Sequence, residues 1–165
     1  DTRYGGGGGD TLRDDWVNEF LHGGTGDGRL FGGFGDDIYL CLRGDGHDTI
    51  TEAREDDDTL LFDVGITAED LWVRRSGKDL VIDVLGSSDK VTISSYFHRD
   101  YYQVERYRVE TFRAGGLELA HTQMGLLIQA LGSFGAPAGA DGHWTAEQRE
   151  ELAQVIAPYW RPANA

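Results

Sequence analysis

A nine-residue period of glycine and aspartate constrains this chain more than any other feature. With aspartate at the sixth place of the frame, residues 5–13 read GGGGGDTLR, residues 23–31 GGTGDGRLF and residues 32–40 GGFGDDIYL. Residues 14–22, DDWVNEFLH, keep the period without the glycines. After two inserted residues, Cys41 and Leu42, the pattern returns as RGDGHDTIT, and a glycine-free echo follows over 53–61 as AREDDDTLL. Leu12, Leu21, Leu30, Tyr39, Ile50 and Leu60 occupy the eighth place throughout. A fixed period with an apolar residue at one phase is the mark of a stacked repeat rather than of a glycine-rich linker.

The residue types point to one chemistry. Glycine lets the backbone turn through positive φ and aim carbonyl oxygens inward. The aspartate adds a carboxylate, and the eighth residue opens a short strand facing a narrow core. One nonapeptide makes half a coil, so loops two repeats apart stack on one edge with room for an ion between them. A ligand set made only of oxygens suits Ca²⁺.

Charge agrees. Residues 1–60 hold 15 acids against 5 arginines, which is −10 of the total −14, and 14 of the 24 glycines precede residue 47. So acidic a chain repels nucleic acid and anionic membrane surfaces. Cys41, the single cysteine, has no partner for an internal disulfide, which suits a reducing compartment or a secreted protein stabilised by metal. No apolar run approaches the ~20 residues that span a bilayer, and the opening DTRYGGGGGD lacks the layout of a signal peptide, so export is expected to be directed from elsewhere.

From residue 59 the periodicity becomes that of strands. Leu80, Ile82 and Val84 share a face, as do Val91 and Ile93, with SGKD and GSSD as turns. Tyr107 and Val109, alternating with Arg106, Arg108 and Glu110, predict a half-exposed strand after an aromatic cluster of Tyr96, Phe97, Tyr101 and Tyr102. Met124, Leu127, Ile128 and Leu131 lie at helical spacing. Thr145 and Gln148 read as a capping box opening a second helix with Leu152, Val155 and Ile156, behind a flexible connector over 132–143.

The words GGFGDDIYL, GDGHDTITE, DLWVRRSGKDLVIDVLGSSDKVTI and SYF resemble the RTX (repeats-in-toxin) family, in particular the terminal RTX block of the adenylate cyclase toxin group. LAHTQMGLLIQALGSF and APYWRPANA are similar to the flanking and secretion region of such proteins. The resemblance implies a mainly β protein: a short right-handed parallel β-roll over 1–60, an antiparallel β capping region over 61–120, and a helical flank with an uncleaved type I secretion signal over 121–165. It also implies Ca²⁺ ligated by the sixth-position carboxylates Asp10, Asp37, Asp48 and Asp58, with carbonyls from Gly32, Gly33, Phe34, Gly35, Gly44, Asp45 and Gly46. Asp58 is expected to stack over Asp37, and Asp48 over the loop Gly23, Gly24, Thr25, Gly26. Glu19 and Gly28 depart from the pattern, which weakens the sites toward the N-terminus.

No H-E-x-x-H, G-x-S-x-G or P-loop word occurs, His22, His47, His98, His121 and His143 lack ligand spacing, and no carboxylate pair sits in a recognisable apolar pocket. The expectation is a calcium-dependent folding and secretion module of a larger secreted protein, not an enzyme. Its partners would be calcium ions, upstream domains of the parent protein and the type I secretion machinery. The competing expectation is an extracellular recognition module that holds a glycan or cell surface through exposed Trp72, Trp144 or Tyr101.

Overall fold

The computed structural model describes residues 2–13, 16–52, 56–63, 65–99, 108–135 and 144–163. Seven short strands follow the repeat: β1 (Thr2–Tyr4), β2 (Thr11–Arg13), β3 (Phe20–His22), β4 (Arg29–Phe31), β5 (Ile38–Cys41), β6 (His47–Ile50) and β7 (Thr59–Phe62). Beyond a 3₁₀ turn at Ala68–Asp70 come β8 (Leu71–Ser76), β9 (Asp79–Val84), β10 (Lys90–Ile93), β11 (Thr111–Ala114) and β12 (Leu117–Ala120). Helices α1 (His121–Phe134) and α2 (Ala146–Ile156) and the short β13 (Arg161–Pro162) complete the described elements.

The protein is mainly β, in two open mixed sheets. One has the order β1-β3-β5-β7-β11-β12-β13, the other β2-β4-β6-β10-β9-β8. Odd and even repeats thus feed different sheets, and every pairing from β1 to β7 is parallel. Eighth-place residues meet in register: Leu21 pairs Tyr39, which pairs Leu60, while Leu12 pairs Leu30, which pairs Ile50. From Leu21 onward these side chains are essentially sealed from solvent. Cys41 does not bulge out as an insertion. It extends β5 by one residue, pairs with Phe62 and is buried.

Glycine serves two purposes in the loops. Second and fourth places of each intact nonapeptide, such as Gly33 and Gly35, have positive φ, where a Cβ is strained. First places are small because a carboxylate lies against them: a Cβ on Gly32 would collide with Asp37 Oδ2, and one on Gly23 would sit 3.0 Å from Asp48 Oδ1.

Both sheets continue past the repeats. β11 pairs in parallel with β7 and β10 with β6, after which β12, β9 and β8 run antiparallel. The strand expected around Val109 lies a few residues later, at 111–114. Val109 and Glu110 precede it, and both are buried, whereas the alternation had placed Glu110 outward. Tyr101, Tyr102, Arg106 and Tyr107 lie outside the described residues.

Helix α1 buries Met124, Leu127 and Leu131 and packs on β8. Helix α2 opens at the Thr145–Gln148 capping box, as the sequence predicts, and buries Leu152 and Ile156. It is held more firmly than its connector suggested, because Arg149 donates to Asp70 Oδ1 at 3.0 Å, and Asp70 Oδ2 lies 3.2 Å from Arg43 in the β5–β6 loop. Trp72 is buried and its ring lies 6.0 Å from that of half-buried Trp144, so neither is the exposed contact that a recognition surface required; Tyr101 lies outside the described residues.

Candidate metal centre

A ladder of backbone amides and carboxylates runs along one edge of the stack. The Glu19 N–H donates to Asp37 Oδ1 at 2.8 Å, the Asp37 N–H to Asp58 Oδ1 at 2.9 Å, and the Asp58 N–H to Glu110 Oε2 at 2.9 Å. This order follows β3, β5, β7 and β11. Asp37 and Asp58 each spend one oxygen on the coil below and keep the other in the interior, whereas the second oxygen of Glu110 lies 3.5 Å from Arg108 Nε.

Asp37 and Asp58 meet there with Glu52: one ligand oxygen from each lies within 4.8 Å of the other two, and all three side chains are buried. The Tyr39 hydroxyl accepts the Gly32 N–H at 2.9 Å and donates to Glu52 Oε1. Glu52 Oε2 and Asp58 Oδ2 are left buried with no donor. Two ionised carboxylates cannot supply one another with a hydrogen bond, so the cluster needs a shared proton or a cation.

Electrostatics express the same need. Burial, then the charges of Asp58 and Asp37, push the Glu52 carboxyl far above its usual range. Burial also raises Asp58 against the pull of the Asp37 amide. Glu110 is raised by burial to about 7, opposed by the Asp58 N–H and by Arg108.

The other edge is built differently. Asp48 Oδ1 accepts the Gly28 N–H at 3.0 Å and lies beside Gly23, so Asp48 and the loop Gly23–Gly26 come together as expected. Burial raises Asp48 to about 6, held back by that amide. Gly28 brings no carboxylate inward. Neighbouring Asp27 stays exposed and accepts the His47 N–H instead.

Asp45, expected to offer only its carbonyl, is buried. Its side chain accepts the Leu42 N–H at 2.8 Å and pairs with His22 Nε2 at 3.0 Å. Gly44 and Gly46 donate to the two oxygens of Asp89. Asp10 is half-buried, in a loop stacked on the Gly23 loop through the Gly5 and Gly8 amides, and its Oδ2 has no donor. In the Gly32–Gly35 loop, Gly35 N–H donates to Asp56, the Gly35 backbone closes on Asn18, and the Phe34 ring stacks on Trp16; Gly33 shares this turn. Glu19 is buried at the sixth place of the glycine-free repeat, with Arg3 Nε 3.8 Å away.

Three acids therefore escaped the periodicity: Glu52, Asp89 and Glu110. Glu52 falls between two frames. Glu110 carried a signal, since an acid directly before threonine recurs at Asp10-Thr11, Asp48-Thr49, Asp58-Thr59 and Glu110-Thr111.

The donors fit a hard cation: interior carboxylate oxygens, two of them orphaned, packed against glycine turns whose first-place residues leave no room for a side chain. Cys41 adds no soft ligand, for burial pushes its thiol strongly up. Fold and site thus define a two-sheet β repeat protein with a buried carboxylate cluster whose oxygens could hold a cation.

The particular kinship comes from the strands after the repeat. Residues 79–113 match the family model described as haemolysin-type calcium binding protein related domain. The matched stretch covers β9, β10 and nearly all of β11, and it contains Asp89 and Glu110, which feed on the repeat loops. At this level the match supports a calcium-binding, RTX-like module.

Proposed function

We propose that this chain is a calcium-dependent folding and secretion module of a larger RTX protein exported by a type I machinery, akin to the end of the adenylate cyclase toxin group. In this reading residues 1–60 form a short right-handed parallel β-roll and residues 61–120 cap it. Residues 121–165 form a helical flank with the secretion signal. The module has no catalysis of its own and works outside the cell, linked to upstream domains of its parent.

One observation carries the reading: the ladder Glu19, Asp37, Asp58, Glu110 ends each rung on a buried carboxylate, and beside it Asp58 Oδ2 and Glu52 Oε2 have no donor. Asp37 and Asp58 would hold the ion on that edge, with carbonyls of the Gly32–Gly35 turn. Asp48 would hold one on the other edge, with the Gly23–Gly26 turn. When bound, calcium supplies the positive charge and the oxygen coordination that these groups lack. Where calcium is scarce the same carboxylates repel one another, the acidic repeats do not close, and the chain stays extended for export. Binding free energy is then folding free energy.

Far-UV circular dichroism tests the reading. Millimolar Ca²⁺ should raise the β signal and a chelator should remove it. A β signal unchanged by chelation overturns the proposal.

A further inference from the structure

Glu52 stands outside the nine-residue frame, yet it is 1% exposed and faces the two aspartates that the frame brings together. Its position is fixed by a residue that is apolar in the other repeats. Tyr39 takes the eighth place, where leucine or isoleucine stands elsewhere, and its hydroxyl bridges the Gly32 amide to Glu52 Oε1. That leaves Oε2 buried without a donor on a side chain that clusters with Asp37 and Asp58, where Asp58 Oδ2 also lacks one. The Asp48 position has no counterpart. Its facing sixth place is Gly28, and nearby Asp45 is already engaged by His22 and the Leu42 amide.

We infer that Glu52 is a ligand supplied from outside the repeat, which makes the Asp37–Asp58 position a three-carboxylate site, with Tyr39 as its positioning residue. The inference rests on the calcium-binding reading and sharpens it. The attraction between ligands and ion grows with the product of their charges, and ligand charge count sets affinity in oxygen sites. The Asp37–Glu52–Asp58 site therefore binds calcium more tightly than the Asp48 site, and it discriminates more strongly in favour of a trivalent cation of similar radius.

The test is calcium calorimetry and Tb³⁺ luminescence on the full chain, comparing wild type with Glu52→Gln, Tyr39→Phe and Asp48→Asn. Glutamine keeps an oxygen for the Tyr39 hydroxyl and removes only charge. Glu52→Gln should weaken the tight phase by about 10–100-fold and leave the weak phase unchanged, whereas Asp48→Asn should do the reverse. Terbium in the tight site should emit on tyrosine excitation, and Tyr39→Phe should abolish that emission.

Wild type that binds no calcium overturns the calcium reading itself. Wild type that binds, with Glu52→Gln keeping the tight phase at unchanged affinity, overturns the role of Glu52 alone. Should Glu52→Gln fail to fold, the emission decides: a tight phase in wild type that tyrosine does not sensitise overturns the site.

Discussion

The two edges of the stack are made from the same nine-residue word and differ in what completes them. On the odd edge Asp37 and Asp58 face each other, Glu52 joins from between the frames, and Glu110 continues the ladder into the strands beyond the repeat. On the even edge Asp48 faces a glycine, and Asp89 caps the next turn by accepting two amides that lie near the surface. The repeat therefore supplies turns and half of each site. Residues outside the period decide whether a turn becomes a concentrated charge centre or a modest one.

The largest expected effect is on the charge itself. A carboxyl whose folded pKa lies above its unfolded value, near ~4, binds more protons when folded; stability is then highest in acid and falls as pH climbs through the folded pKa. In a chelator the even edge should lose stability mostly between about 4 and the Asp48 value of about 6. The odd edge should go on losing it through the Glu110 value of about 7 and beyond, as Asp58 and Glu52 ionise. With EDTA the far-UV β signal should be weaker at pH 8 than at pH 5.5, and calcium at pH 8 should restore it. Equal signals in EDTA at the two pH values would erase the contrast between the edges.

Next in size are the first-place glycines. Gly32→Ala forces a Cβ into Asp37 and Tyr39, at a cost of roughly 2–4 kcal/mol by denaturation in calcium. Gly23→Ala meets only the Asp48 carboxylate, nearest at Oδ1 at 3.0 Å, so about 1 kcal/mol is expected. Reversed magnitudes would mean that the even edge is the stiffer one.

Removing the acids beyond the repeat separates the edges more gently. Glu110→Leu strands the buried Asp58 amide, costing about 1–3 kcal/mol, whereas Asp89→Leu frees amides that water reaches, costing about 1 kcal/mol. The smallest effect belongs to Arg149→Ala, which deletes a half-exposed ion pair to Asp70 and should shift stability by under about 1 kcal/mol, with protection of α2 against hydrogen exchange as the more sensitive readout.

What the sequence made legible was local or periodic. The eighth-place residues, the stacking of Asp58 on Asp37 and of Asp48 on the Gly23 loop, the apolar face of α1 and the Thr145 cap each follow from spacing within a short window. The acids that finish the sites did not follow, for physical reasons. Glu110 reaches the Asp58 amide across 52 residues, a partnership that no window contains, and alternation with Tyr107 and Val109 argued for solvent. Glu52 was hidden because a period has no place for a residue between frames. Tyr39 was read as apolar filling, which it is, but its hydroxyl also carries a hydrogen bond to an interior acid.

The order of the strands has a consequence for association. On one side of the stack, among the described residues, the sheets stop at β1 and β2, three-residue strands whose outer amides and carbonyls have no strand beside them. On the opposite side they stop at antiparallel β8, which presents exposed Arg74 and Arg75, and at the two-residue β13. On that far side the charged margin of β8 and the brevity of β13 discourage edge-to-edge pairing. The stack is in this respect a lattice with one growing face: another nonapeptide coil can be laid on β1 and β2 in the parallel sense already in use, while at the far face growth is terminated.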